Sequence, residues 1–364
     1  MVNNSFKQKK RIKCSIPGEI YTLLRAIKGK LLPARVIRNL ESCSNISQTI
    51  DFFLESHYCE IVKTNLISAD KFDDLEVCLD QFYMSQVNKV LSLIRENIPY
   101  ILPIFIIPFD ILNTKTLLRF VNIHHNMVLL KKSIFTAGSY ENVDLNEFAS
   151  VRTFDALLEK LQKMELPFLD VMNNNKKLLE VDTQYSRFEH ILAKHAFELI
   201  YQIMWSIKPE EMVCEGKLIQ HAIDLINLRT ALNYLEEKEP FENVDDLFIN
   251  HGKFINYKNF KYLLCCKTIE NFLNNIKSKR LLVFMEDGLL NYINIKNTLA
   301  FERQIDKFDL QVKKWFSIQF PSSIAIIEYY LTLLKNELIN LKILTRGIHY
   351  KLPMGTVQRE LIYV

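Results

Sequence analysis

The chain has 364 residues and a formal net charge of only +4, from 46 Lys and Arg against 42 Asp and Glu, and its seven cysteines form no CxxC pair. Bases scattered among acids, rather than interleaved with aromatics along one stripe, exclude an evident nucleic-acid surface, and an odd set of cysteines without a framework reads as reduced thiols. Glycine is scarce, at 8 residues, and long stretches repeat apolar residues every three or four positions, which makes the fold class all-α.

Residues 1–14 form a basic tail through Lys7, Lys9, Lys10, Arg11 and Lys13, without the apolar segment that a secretory signal needs. Gly18 to Tyr58 reads as a helix, a turn at Gly29, a second helix and a third that begins at a capping Thr49. A longer helix runs from Phe72 to Asn97. The most apolar stretch follows, from Tyr100 to Phe109. It covers half of the roughly 20 residues a bilayer span needs and contains Pro103 and Pro108, so it is expected to be a buried connection. After it come a turn at Gly138, a helix capped by Thr153, and a long helix from about Leu178 to Trp205. The next portion starts near Lys217, passes a charged loop from Glu236 to Asp246 and a turn at Gly252, and returns through a capping Thr268 to a helix ending near Phe316. The last helix starts after Pro321 and spans about 24 residues, or roughly 36 Å. Gly347 is its expected exit, where a residue without Cβ can turn left-handed.

An internal repeat runs through these elements. Asp110-Ile111-Leu112-Asn113-Thr114-Lys115, Asp224-Leu225-Ile226-Asn227-Leu228-Arg229 and Glu337-Leu338-Ile339-Asn340-Leu341-Lys342 each place an acid, two aliphatics, an asparagine and a base. Their asparagines lie 114 and 113 residues apart. A second mark is the capping threonine at 49, 153 and 268, each preceded by a glycine at 29, 138 or 252. A third, weaker mark is an aspartate near an aromatic: Asp80 with Phe82, Asp182 with Tyr185, and Asp306 with Phe308. A buried mid-helix Asn must find partners for its amide, so each is expected to clamp backbone groups of a neighbouring segment. The first unit has its glycine and threonine but no acid-Asn-base helix before them, while the last such helix follows the third unit. The chain is therefore expected to close head to tail. This divides it into 15–109, 110–223 and 224–319, with 320–364 completing the first unit.

Motifs for chemistry are missing. None of Gly29-Lys30, Gly216-Lys217 and Gly252-Lys253 has the glycine spacing or the following Ser/Thr of a phosphate loop. His190 and His195 are five apart, about 140° around a helix, so they do not share the face of a metal pair. Asp73-Asp74 and Asp245-Asp246 lack the third acid of a diphosphate-magnesium site. No catalytic residue, metal site or cofactor is expected, which disfavours an isoprenoid-type enzyme.

Taken together, Pro321, Ile324, Tyr330, Glu337, Asn340-Leu341, Ile343 and Gly347, the final Pro353 and Gln358 to Leu361, and the opening Tyr21, Arg25, Gly29, Leu32, Thr49, Leu54 and Tyr58 resemble the family of C subunits (also called d subunits) of rotary A-type and V-type ATPases. The resemblance covers nearly the whole chain. It implies three pseudo-repeated helical domains forming a funnel around a pseudo-threefold axis, on the cytoplasmic face of a membrane. The implied partners are central-stalk subunits and the ring of proteolipid subunits, with one copy in the complex and no nucleic acid. The implied role is non-catalytic coupling of stalk to ring for H⁺ or Na⁺ transport. From the repeat geometry, the glycine turns would line one end of that funnel, which makes Gly29, Lys30, Gly138, Gly252 and Lys253 candidate partner-contact turns. The alternative is a helical repeat scaffold with no rotary role.

Overall fold

A computed structural model describes residues 16–66, 71–180, 185–206, 213–237, 244–295 and 298–364. The basic tail, Asp182 and most of the charged loop after Glu236 lie outside them. The described residues form helices and turns, with no strand among them. Four short helices, α1 (Gly18–Lys28), α2 (Ala34–Glu41), α3 (Ile46–Leu54) and α4 (Cys59–Asn65), lead into the long α5 (Lys71–Asn97). Asn45, not Thr49, caps α3: its side chain accepts the Gln48 N–H at 3.0 Å, and the Gln48 side chain accepts the Ser44 N–H at 2.8 Å. The helix thus starts one turn earlier than expected, and Thr49 sits inside it, buried, donating to the Asn45 carbonyl at 3.1 Å. Thr153 and Thr268 do cap their helices, α8 (Phe154–Gln162) and α14 (Ile269–Asn274) below.

The apolar run after α5 is not a connection. It forms the first turns of α6 (Leu102–Arg119), with Pro103 in the first turn and Pro108 inside the helix. Pro103 costs nothing there, because first-turn amides have no helical partner. Pro108 removes one hydrogen bond, and burial of Ile104, Phe105, Ile107 and Ile111 compensates. Residues 99–122 are long and apolar enough to cross a membrane by length and composition alone, at mean hydropathy 1.5. Yet Asp110, Asn113 and Thr114 in that stretch are fully buried and bonded to neighbouring protein segments, as in a core helix.

The middle of the chain continues with α7 (Met127–Ser133), α8, α9 (Leu169–Asn174) and the long α10 (Tyr185–Ser206). Next come α11 (Val213–Glu237), α12 (Val244–Leu247), α13 (Tyr257–Leu264), α14, α15 (Lys279–Ile295) and α16 (Leu299–Gln319). One extended core joins α1–α11 with α17 (Ala325–His349), and a second fills the space between α11 and α13–α16.

The last long helix, α17, buries fifteen of its residues and packs against α1, α2, α3, α5, α11 and α16. Its N-terminal end meets the start of the described chain, where the Ile16 N–H donates to the Ser322 carbonyl at 2.7 Å. Gly347 is not its exit. The helix runs on to His349, and the left-handed residue is Lys351, at φ 53°. Gly347 is instead the contact point for α18 (Met354–Arg359), because a Cβ there would lie 2.6 Å from Val357 Cγ2. Val357 is buried and β-branched, so it cannot swing aside. Gly347→Ala should therefore destabilise the protein by about 1–3 kcal/mol in urea denaturation, despite the better helix propensity of Ala. In a Val357→Ala background the same substitution should become neutral or stabilising. Equal effects in both backgrounds would contradict this contact.

Candidate functional site

The three repeated hexamers sit in mid-helix positions of α6, α11 and α17, and in each the asparagine clamps a backbone residue 22 positions further on. Asn113 donates from Nδ2 to the Phe135 carbonyl at 2.6 Å and accepts the Phe135 N–H at 2.8 Å. Asn227 does the same with Ile249, at 2.8 and 2.9 Å. Asn340 repeats it with Ile362, at 2.8 and 3.1 Å. Each amide spends one donor and one acceptor on both polar groups of a single clamped residue, so its own buried amide is satisfied. That is why a mediocre helix former recurs among leucines.

The acid one turn earlier holds the next stretch of backbone. Asp110 accepts the Ser139 N–H at 3.0 Å and the Ser139 hydroxyl at 2.7 Å. Asp224 accepts the N–H groups of Lys253, Phe254 and Ile255, all within 3.0 Å. The glycines lie against these carboxylates. A Cβ on Gly138 would fall 2.8 Å from Asp110 Oδ1, and one on Gly252 would fall 2.3 Å from Asp224 Oδ1. Gly138 also has φ +66°, a second reason for glycine there.

In the last copy the acid reaches across to the opening helices. Glu337 accepts the Leu32 N–H at 2.6 Å and the Tyr58 hydroxyl at 2.8 Å, with His57 Nε2 3.5 Å away. Burial, and then the Glu337 carboxylate, push the Tyr58 phenol well above its ordinary pKa, so it remains a donor. Gly29 and Lys30 are exposed in the turn before Leu32. Lys30 borders a cleft of about 1070 Å³ between α1, α4 and α5.

The base of each hexamer pairs with an acid on a later or earlier long helix. Lys115 lies 3.7 Å from Glu189 of α10, which Arg119 also grips through two bonds of 2.8 and 2.7 Å. Arg229 bonds Glu302 and Asp306 of α16 at 2.7 and 2.8 Å. Burial opposes the Arg229 charge, but the two carboxylates outweigh it and hold its pKa above the ordinary value. Lys342 bonds Asp80 of α5 at 2.6 Å. Asp80 and Asp306 from the third sequence mark are thus the pairing acids. In the middle copy the residue placed by the structure is Glu189, which sequence inspection missed because Asp182 competed for the same position. Among the described residues no cluster of His, Cys, Asp and Glu could hold a metal ion. His190 is paired with neighbouring groups, and burial followed by the Lys115 charge lowers its pKa to about 4. The arrangement is built for holding segments together; its polar groups are spent on each other.

Burial raises the Asp110 pKa from 3.8 to about 6, with the Ser139 bonds only partly offsetting it. Because the folded value lies above the unfolded one, protonation favours the fold. That contribution is complete below pH 3.8 and is lost as pH rises through 6. His190, with its lowered value, acts with the opposite sign, so the test compares variants. Relative to Asp110→Asn, the unaltered protein should gain about 1–1.5 kcal/mol of unfolding free energy between pH 7.5 and pH 5. A pH-independent difference in urea denaturation would contradict the assignment.

Known proteins are similar to this chain along most of its length. Residues 20–360 match the model of the ATP synthase (C/AC39) subunit family. The chain is similar to the A-type ATP synthase C subunit of Methanococcoides burtonii, at 22% identity over 93% of this chain and 92% of that protein. It is also similar to the proteins of the same name from Methanosarcina acetivorans, at 21% identity over 94% and 92%, and Methanocaldococcus jannaschii, at 21% over 89% and 80%.

Proposed function

The chain belongs to the ATP synthase (C/AC39) subunit family, and from that premise we propose that it is a non-catalytic subunit of a V/A-type rotary ATPase or ATP synthase. In this proposal it couples the central stalk to the membrane ring of proteolipid subunits, and so serves H⁺ or Na⁺ transport. It sits as a single copy at the cytoplasmic face of the membrane, held there by its partners. The observation that carries the mechanical part is the clamp recurring three times, with the third copy tying α17 to both Leu32 and Ile362.

A coupler must pass torque without deforming. Bonding the last long helix to the first helices ties distant parts of the described chain into one body, and packed interiors resist strain. The proposed organisation is three helical domains, 15–109 completed by 320–364, 110–223 and 224–319, arranged as a funnel around a pseudo-threefold axis. Each would be joined to the next by a base-to-acid pair such as Lys342 with Asp80. Catalysis stays with other subunits. Lys30 and Lys253 are exposed beside the acid-clamped turns, and they are proposed to meet acidic groups of a partner.

Affinity purification of the tagged full chain from gently solubilised membranes should bring down stalk and proteolipid subunits. Recovery of unrelated soluble proteins alone would contradict the coupling role. Charge reversal at Lys30 and Lys253 should lower recovery of the complex roughly tenfold, the scale of two interfacial charges set against like charge. Unchanged recovery would remove these turns from the interface.

A further inference from the structure

A groove of about 750 Å³ lies between α11, the turn at Lys253 and the pair α15–α16. Its floor is apolar, built from Phe284, Phe308, Val312 and Phe316. Val283 and Trp315 stand at its edge, 58% and 49% exposed. The stripe continues along α16, where Trp315 is followed at helical spacing by Ile318, 64% exposed. A lone exposed apolar residue needs no explanation, but a concave aromatic floor continued by an exposed Trp and Ile does.

The rim has one sign of charge. Lys217, Lys253 and Arg280 line the groove and are exposed, and none of their side chains makes an ion pair with a described residue. The one carboxylate among the described lining residues, Asp224, is buried and spent on the N–H groups of residues 253–255. Bases packed between the helices, such as Arg229, Lys313 and Lys342, each hold a carboxylate, whereas these three stand exposed around one apolar concavity. The groove therefore lacks both an apolar lid and negative charge.

We propose that this groove receives an amphipathic helix of a partner protein, its apolar face on Val283 and Trp315 and its carboxylates against Lys217, Lys253 and Arg280. The proposal rests on the assembly reading above, which makes the partner another subunit of the same complex. Three features favour a helix over other anionic occupants. A bilayer surface cannot enter a concavity walled by helices. A free anion would not need the aromatic floor. The exposed stripe of α16 from Gln311 to Ile318 runs about 10 Å, two turns of a partner helix lying alongside. Trp315 supplies the anchoring area, while the three rim charges set orientation and add little affinity each.

The test places a photo-crosslinking benzoylphenylalanine at Val283 in the full chain and irradiates the assembled complex purified from membranes. The expected product is a crosslink to one protein of the complex, in a peptide with acids and apolar residues alternating at three- and four-residue spacing. The double variant Lys217→Glu, Arg280→Glu should cut that crosslink at least tenfold per retained chain, with the thermal unfolding midpoint unchanged. In a complex that retains the chain, a crosslink only to lipid, or none, overturns the groove and leaves the assembly reading standing. Failure of the chain to purify with any membrane complex overturns both. Sedimentation of the free chain with phosphatidylglycerol vesicles, abolished by Trp315→Ala, would assign the groove to a lipid surface and overturn it.

Discussion

The fold depends on one constraint: three long helices carry a buried asparagine and a buried carboxylate in mid-helix, and those groups must be satisfied by backbone outside the helix. Leaving a buried peptide group or carboxylate unpaired costs about 1–3 kcal/mol or more. The segments that supply the partners, at Phe135, Ile249 and Ile362, are therefore pinned to a fixed height along their helices. Register errors of one residue would orphan several groups at once. In the third copy the same requirement ties the last long helix to the opening helices, because Glu337 takes Leu32 and Tyr58 as its partners.

Ion pairs carry the arrangement sideways. The base following each asparagine leaves its own helix and meets an acid on another, Glu189, Glu302 with Asp306, or Asp80. A further network joins α11, α16 and α17: His221 contacts Asp309, and Lys313 bridges Asp309 and Glu328. Burial opposes the Lys313 charge, but Asp309 and Glu328 hold its pKa above the ordinary value. Buried pairs of this kind contribute geometric definition more than net stability. For a body proposed to transmit torque, definition is the useful property.

Much of this was legible in the sequence because the constraint is local and repeated. The spacing of Asn113, Asn227 and Asn340 identified the clamps, and the helical period gave the all-α class. What escaped depended on three-dimensional competition. Asn45 took the cap expected of Thr49, since a better capping group lay four residues upstream. Pro108 breaks a helix by local rules, but burial on both sides holds the helix through it. Gly347 is a glycine because of Val357, ten residues away in sequence, and no turn rule reports that. Glu189 and the partners Phe135, Ile249 and Ile362 carry no motif. Only the constant offset of 22 residues could have found them, and it becomes visible once one contact is known. The groove beside Trp315 is likewise a product of packing three helices, with no signature in the chain.

Completion of the opening helices by α17, through Glu337, is the feature on which the closed architecture stands. Native-state hydrogen exchange on the full-length Glu337→Ala protein tests it, with an internal control in the amides of Lys253, Phe254 and Ile255, which Asp224 holds in the equivalent place. Exchange at Leu32 and through residues 46–65 should quicken about 10- to 100-fold, the equivalent of 1–3 kcal/mol, while the Asp224-bound amides keep their protection. Unchanged exchange at Leu32, or equal acceleration at both places, would contradict it.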